Sequence, residues 1–492
     1  KLKKSSYQKL RNNPKVVKIY KTKNITLFLN NSAGIINATR TWSLIYSGIN
    51  ITGKAESVCV IDTGIDYTHA ALGKCTTNTF TNGECPKVIS GYDFVNSDND
   101  PIDDHGHGTH VSGIVASTNE SIRGIAPDAN IIAIKVLDSS GFGNTPKLIN
   151  GIDWCVNNAS IFNISVISMS LGIAGYKNTT YCDTSDNPLL VDAIHNAINR
   201  NMSVVVAAGN DGASPLGVST PACISNVTVV GSTDKSDAIS SFSDRWALPM
   251  LFAPGSSITS ANLGGGFISQ SGTSMSAPHV AGTFALLRQY RKLEQNIILT
   301  PAQIQDALND TGKQINDTAG SGLFFSRINI YSALLSLDKI APNISLVAPT
   351  PPNNTNITYK SFIINITSNE VLSSVILEFN STNETINETM QLNWIINKTT
   401  GFGVFNYRIY GNDSAGNMKI TPMFQIRIKN LNNTAPNITS FFPEQLSIGI
   451  NEPNNLSFNI TASDIDGDTL INMWYQNGTQ KSSSNNFTFI GN

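Results

Sequence analysis

Between about residues 55 and 285, runs of almost unbroken apolar residues alternate with stretches whose apolar positions recur every three or four residues. SVCVID (57–62), NIIAIKVL (130–137), SVISMSL (165–171), SVVVAAGN (203–210) and NVTVVGS (226–232) lack a polar face. That is the pattern of strands buried on both sides. TPKLINGIDWCVNN (145–158) and NPLLVDAIHNAINRN (187–201) show the spacing of amphipathic helices instead. Strand, helix and strand in repetition predict an α/β domain with a central parallel sheet flanked by helices. In such sheets, functional side chains gather at the carboxyl ends of the strands.

The texture changes after about residue 340. Helical spacing disappears, and Asn, Ser and Thr surround short alternating runs such as SFIINITS (361–368) and FQIRIK (424–429). APNISLVAP (341–349) returns as APNITSFFP (435–443), a spacing that suits repeated β-sandwich modules. With YGNDSAGN (410–417), these starts resemble the immunoglobulin-like modules of secreted prokaryotic proteins. One module is expected over 340–430 and a second, truncated one over 431–492. DIDGDTL (464–470) lacks the spacing and terminal Glu of an EF-hand, so Asp464, Asp466 and Asp468 read as a solvated turn.

With 492 residues, the chain is too long for one ordinary core. A net charge of −2 gives no basic footprint for nucleic acid, and no apolar run is long enough to span a bilayer. The chain opens on KLKKSSYQKL without Met and stops in mid-pattern, which reads as a piece of something longer. About 57 Asn and about 94 Ser plus Thr predict about 11 Asn-X-Ser/Thr sequons by chance, whereas roughly 27 are present. An excess of that spacing points to N-glycosylation and a secreted or cell-surface protein. Six cysteines fit disulfides in that compartment, and Cys75 and Cys85 flank a polar loop that a local bridge would staple. The remaining pairings are open.

DDHGHGTH (103–110) places three histidines where they could form a metal cage, or where one could be a general base. A base needs a carboxylate to orient it and a hydroxyl to deprotonate. Asp62 ends the run SVCVI and is followed by Thr63-Gly64, so it emerges at the functional edge of the sheet. Ser274, in GTSMSAPHVAGTFALL, begins a helix, where exposed N–H groups and the helix dipole favour negative charge. Asn210 ends the strand VVVAAGN, where its amide can donate to an oxyanion.

VIDTGID, HGTHVSG, SLG, AAGN and GTSMSAPHVAG, in this order, resemble the signature blocks of the subtilisin-like serine proteases over residues 35–335. The resemblance implies an Asp62–His107–Ser274 triad with Asn210 in the oxyanion hole, and makes His105 and His110 bystanders. It also implies that Ser170, Leu171 and Gly172 pair with an extended peptide substrate. Ala207, Ala208 and Gly209 would line the main specificity pocket. Residues 1–34 resemble the end of an inhibitory propeptide, with maturation between 24 and 36, and 35–339 would be the peptidase domain. The implied chemistry requires no cofactor. Relatives bind calcium for stability, and Asp98, Asp100, Asp103 and Asp104 offer oxygen for it, or form an acidic rim beside His107. The β-modules would contact a cell surface or polysaccharide.

Overall fold

The computed structural model describes residues 32–173, 177–213, 216–318, 320–386, 391–430, 434–444, 456–465, 469–476, 479–483 and 486–489. Residues 1–31 of the expected propeptide segment, and Asp466 and Asp468 of the acidic turn, lie outside them. The expected boundary at 34/35 falls inside the short helix Ser32–Ile35, whose Ala33 joins the same core as Ile36.

Two short strands come first, β1 (Ile45–Tyr46) and β2 (Ile49–Asn50), paired as a hairpin. The central sheet follows. Its strands are β3 (Ser57–Asp62), β4 (Val88–Asp93), β5 (Asn130–Lys135), β6 (Ile164–Met169), β7 (Ser203–Ala207), β8 (Thr228–Thr233) and β9 (Leu251–Pro254). After a separate hairpin, β10 (Ile258–Ala261) and β11 (Phe267–Gln270), the sheet gains β12 (Lys313–Asp317) and β13 (Leu323–Arg327). The order is β12-β13-β9-β8-β7-β6-β3-β5-β4, parallel except at the β12–β13 pair.

Strand alternation sends neighbouring residues into different cores. Val58 and Val60 of β3 pack with Val111 and Val115 of α1 (His107–Ala116), and with Val280 and Phe284 of a longer helix. Cys59 and Ile61 pack on the other side with Ile152 of α2 (Thr145–Asn157) and Ile194 of α3 (Pro188–Asn199). The longer helix is α4 (Thr273–Gln295). Burying each of these aliphatic side chains is worth about 1.5–3 kcal/mol, so both faces of the strand must be apolar. Cys59–Cys155 ties β3 to α2, while Cys75–Cys85 and Cys182–Cys223 close loops. The five expected strands and both expected helices are present, within two or three residues at their ends.

A second architecture begins after the helix Ile330–Leu337. Its strands are β14 (Ile344–Val347), β15 (Thr355–Ile357), β16 (Ser361–Leu372), β17 (Ser374–Phe379), β18 (Thr382–Ile386), β19 (Gln391–Thr399), β20 (Gly403–Asn412), β21 (Met418–Ile420) and β22 (Phe424–Ile428). β16 pairs with β14 and β19, whereas β15, β22, β20, β17 and β18 form the facing sheet, with β21 on β20. Ile364, Ile366 and Trp394 of the first sheet meet Leu377, Tyr407, Ile409 and Ile426 of the second in one core. The hairpin of the α/β domain joins this region, because β1 pairs with β16 through Tyr46 opposite Glu370. Farther on, Asn437–Phe442, Leu456–Ser463 and Asn486–Phe489 form a small sheet.

Candidate active site

Asp62 is the last residue of β3 and is fully buried. Its Oδ1 accepts from the Thr63 N–H at 2.7 Å and lies 2.8 Å from His107 Nδ1. Its Oδ2 has no donor among the described residues. His107 opens α1, with its side chain 22% exposed. Burial opposes the imidazolium, but the Asp62 charge and hydrogen bond, with Asp103 behind them, outweigh it and hold His107 above its ordinary value. The close approach of α1 to the end of β3 requires Gly108. A Cβ there would sit 2.0 Å from the Gly64 carbonyl oxygen.

Asp103 holds this arrangement in place. Oδ1 accepts from Thr63 Oγ1 and from the N–H groups of His105 and Gly106, each at 2.9 Å. Oδ2 accepts from the Thr109 N–H at 2.9 Å and from its hydroxyl at 2.6 Å. Thr63 Oγ1 in turn accepts from the Gly108 N–H at 2.9 Å. Asp103 therefore connects the loop after Asp62 to the first turn of the His107 helix. Beneath it, the buried Lys135 ammonium donates to Thr63 O at 2.6 Å and to Asp104 at 2.6 Å. Neither role was legible in the sequence. The available signal was two threonine hydroxyls, at 63 and 109, close to residues that need fixing.

Ser274 stands in the first turn of α4, which packs against α1. Its Oγ donates to the Ser170 carbonyl at 3.2 Å, and Ser170 Oγ donates to the Ser274 carbonyl at 2.8 Å. Among the described residues, no hydrogen bond joins Ser274 to His107. Asn210 Oδ1 accepts from the Thr273 N–H at 2.8 Å. Asn210 Nδ2 and the Ser274 N–H nitrogen each lie 3.6 Å from the position a Cβ on Gly272 would take. Two donors thus border one space beside the serine.

These residues line a cleft of about 240 Å³, with Ser170, Leu171 and Gly172 on one wall and Ala207 and Gly209 on another. Thr273 and Ser219, not expected from the sequence, also line it. Ala208 does not. It is fully buried in the opposite core with Val206, because strand alternation turns its Cβ away from Ala207. Gly209 is fixed by a φ of 120° and by Asp244, whose Oδ2 would lie 2.2 Å from a Cβ there. Lys177 bridges the buried Asp244 at 2.8 Å.

Two other histidines serve the fold. Burial lowers His110 to about 4, and its Nε2 meets the Ile268 carbonyl of β11 at 3.1 Å. Burial lowers His279 to about 4 likewise, with Nδ1 on the Met275 carbonyl at 2.7 Å. His105, His107 and His110 do not converge on one point among the described residues. Asp98, Asp100, Asp103 and Asp104 do not converge either. Asp98 accepts from the Asp100 N–H, Asp100 from the Tyr67 hydroxyl, and Asp104 pairs with Lys135.

A family model described as "Subtilase family" matches residues 53–325, more than half of the chain. Thermitase of Thermoactinomyces vulgaris is 35% identical over 304 residues, covering 61% of this chain and 93% of that protein. Alkaline serine exoprotease A of Vibrio alginolyticus is 38% identical over 275 residues, and the match spans only 45% of its length. Minor extracellular protease Epr of Bacillus subtilis (strain 168) is 36% identical over 251 residues, 51% of this chain and 34% of that protein.

Proposed function

Because the chain belongs to the subtilase family, we propose that it is a serine endopeptidase that hydrolyses peptide bonds through an acyl-enzyme intermediate. The observation that carries this reading is the 2.8 Å Asp62–His107 bond at the carboxyl end of β3. It orients an imidazole whose helix packs against the helix whose first turn carries Ser274. The Ser274 hydroxyl leaves Ser170 and turns to His107, which accepts its proton as Oγ attacks the scissile carbonyl carbon. Asp62 fixes the tautomer and stabilises the imidazolium. Asn210 Nδ2 and the Ser274 N–H receive the oxyanion. The tetrahedral intermediate collapses as His107 protonates the leaving amine. Water, deprotonated by the same imidazole, then releases the acid and restores the Ser274 hydroxyl.

An extended substrate adds to the edge at Ser170–Gly172, a case of β-augmentation. The small walls at Ala207 and Gly209 leave room for a large apolar or aromatic side chain in the cleft. The chemistry needs no cofactor. The protein acts outside the cell as a glycosylated, disulfide-bonded enzyme held inactive by its propeptide before maturation. The sequon excess, the three disulfides and a relative named as extracellular support that placement. The two-sheet region after residue 340 serves as an immunoglobulin-like module that contacts a cell surface or polysaccharide, followed by a second such module.

Fluorophosphonate labelling, with the modified peptide mapped by mass spectrometry, tests the catalytic reading. Wild type and Ser274→Ala are each produced with a full-length propeptide from a relative. Label on Ser274 in wild type alone is expected. A folded, processed wild type that takes no label would overturn the peptidase reading.

A further inference from the structure

The α/β domain and the two-sheet region meet at a group of carboxylates that the peptidase chemistry does not use. Glu294 lies in the last turn of α4, and Asp338 caps the helix Ile330–Leu337. From the other side come Glu370, opposite Tyr46 on β16, and Asp413, the residue after β20. Glu370 occupies an inward-facing position of β16, in register with Ile364, Ile366 and Leu372, where an apolar residue would ordinarily sit. Carboxylate oxygens of Asp338, Glu370 and Asp413 lie within 4.8 Å of one another, and all three residues are buried.

Asp338 accepts from the Ile340 N–H and from Asn417 Nδ2, and Asp413 from the N–H groups of Ala415 and Asn417 and from Asn417 Nδ2. Two other groups here each have an oxygen without a partner among the described residues. The Glu294 side chain is only 1% exposed and lies against the Asp338 carboxylate. Its Oε2 accepts from Arg291, but its Oε1 has no hydrogen-bond partner. The buried Ser414 Oγ, also without a partner, borders a cavity of about 20 Å³ together with Tyr46, Tyr290, Asp338 and Glu370. That is room for one water-sized occupant. Burial, then the facing carboxylates, push Glu294 and Glu370 up to about 8. Arg291, already engaged by Glu294, is the cation that the described residues bring to the group.

We propose that this cluster is a structural site for a hard divalent cation, calcium in the first place, bound between the peptidase core and the first β-module. Every side-chain ligand offered is oxygen, from the three clustered carboxylates, from Glu294 beside Asp338 and from the Ser414 hydroxyl, with no imidazole or thiolate among the described residues to favour a softer metal. Calcium tolerates such irregular, carboxylate-rich cages of six to eight oxygens. The ion converts mutual repulsion into a shared contact and fixes the module where β1 joins β16. The site is independent of the peptidase reading, since none of its residues touches the triad or the cleft.

The test uses the full chain carrying Ser274→Ala, which prevents self-digestion, after removal of metal with a chelator. Calcium is titrated by calorimetry, and thermal unfolding is followed with and without it. The parent is compared with Glu370→Gln and Glu294→Gln. Each variant is expected to bind one calcium fewer than the parent. In chelator above pH 8, where Glu370 is ionised, Glu370→Gln should unfold at a higher temperature than the parent, because a like charge is gone. Each variant should also lose roughly 5 °C of the gain that calcium in hundredfold excess over its dissociation constant gives the parent. Equal stoichiometry and equal calcium gain in parent and variants would overturn the proposal. If Glu370→Gln fails to fold, Glu294→Gln decides alone, because it lies in the last turn of α4 and leaves β16 intact.

Discussion

Two regions of this molecule bury carboxylates, and they surround them differently. In the active-site shell, both oxygens of Asp103 are filled by five hydrogen bonds from Thr63, His105, Gly106 and Thr109, and Asp62 faces an imidazole. At the domain junction, Asp338, Glu370 and Asp413 face one another. A buried charge persists only when something answers it. Around Asp103, the chain supplies the answer itself. At the junction it supplies neutral N–H donors to Asp338 and Asp413, and Arg291 as the cation among the described residues, so further positive charge has to come as protons or as an ion. The contrast teaches that burial alone does not mark a catalytic acid; the identity of its partners does.

The sharpest way to break the comparison is Asp62→Asn. It keeps the side chain's size but removes the charge that outweighs burial at His107, and turnover should fall by on the order of 10⁴. The sign of the pH effect follows from the raised value of His107. Catalysis needs the neutral imidazole, so activity in wild type rises with pH through a midpoint above 6.5. In the variant burial prevails, and that acid limb moves to lower pH. Stability moves oppositely: the contribution of the Asp62–His107 pair is complete below the unfolded histidine value and is lost as pH rises through the folded one. Steady-state pH profiles and melting curves check both.

Asn210→Ala tests the donor side. Turnover should drop by about 10²–10³ with little change in KM, a size of loss known for a subtilisin. A fall in affinity with turnover intact would place the amide elsewhere. Next, Asp103→Ala leaves its donors unanswered and should cost about 3 kcal/mol of stability by chemical denaturation. Asp103→Asn, which still accepts at one oxygen, should cost less. Smallest and opposite in sign is Glu370→Gln in chelator above pH 8, which relieves repulsion instead of creating need. If Asp103→Asn and Glu370→Gln both stabilised the metal-free protein, the distinction between answered and unanswered carboxylates would fail.

The sequence made the parallel sheet readable because strands buried on both faces must be apolar throughout, and five of them were. β4 and β9 were not expected. VISGYD alternates buried and half-buried positions around Gly91, and LFAP is only four residues long and ends in proline. The motif blocks around Asp62, His107, Asn210 and Ser274 were legible because their neighbours are constrained along the chain, as Gly108 is by Gly64. Ala208 was misassigned to the cleft because adjacent strand residues were treated as one wall. Asp103 was read as part of an acidic loop, since its donors at Thr63 and Thr109 come from separate segments. The junction cluster left no local trace at all. Positions 294, 338, 370 and 413 are each ordinary, and only the fold brings them together.

The β1–β16 pairing also bears on how such a protein can be rearranged over time. A crossover placed at the change of texture near residue 340 would look clean, yet it would separate Tyr46 from Glu370 and strip a strand from one sheet. The donor's hairpin would keep its contact with Tyr290 but lose its partner strand. The recipient's β16 would keep β14 and β19 but lose its cover at Glu370. The heritable unit is therefore the peptidase together with its first module, and exchange is better tolerated after residue 430 than before it.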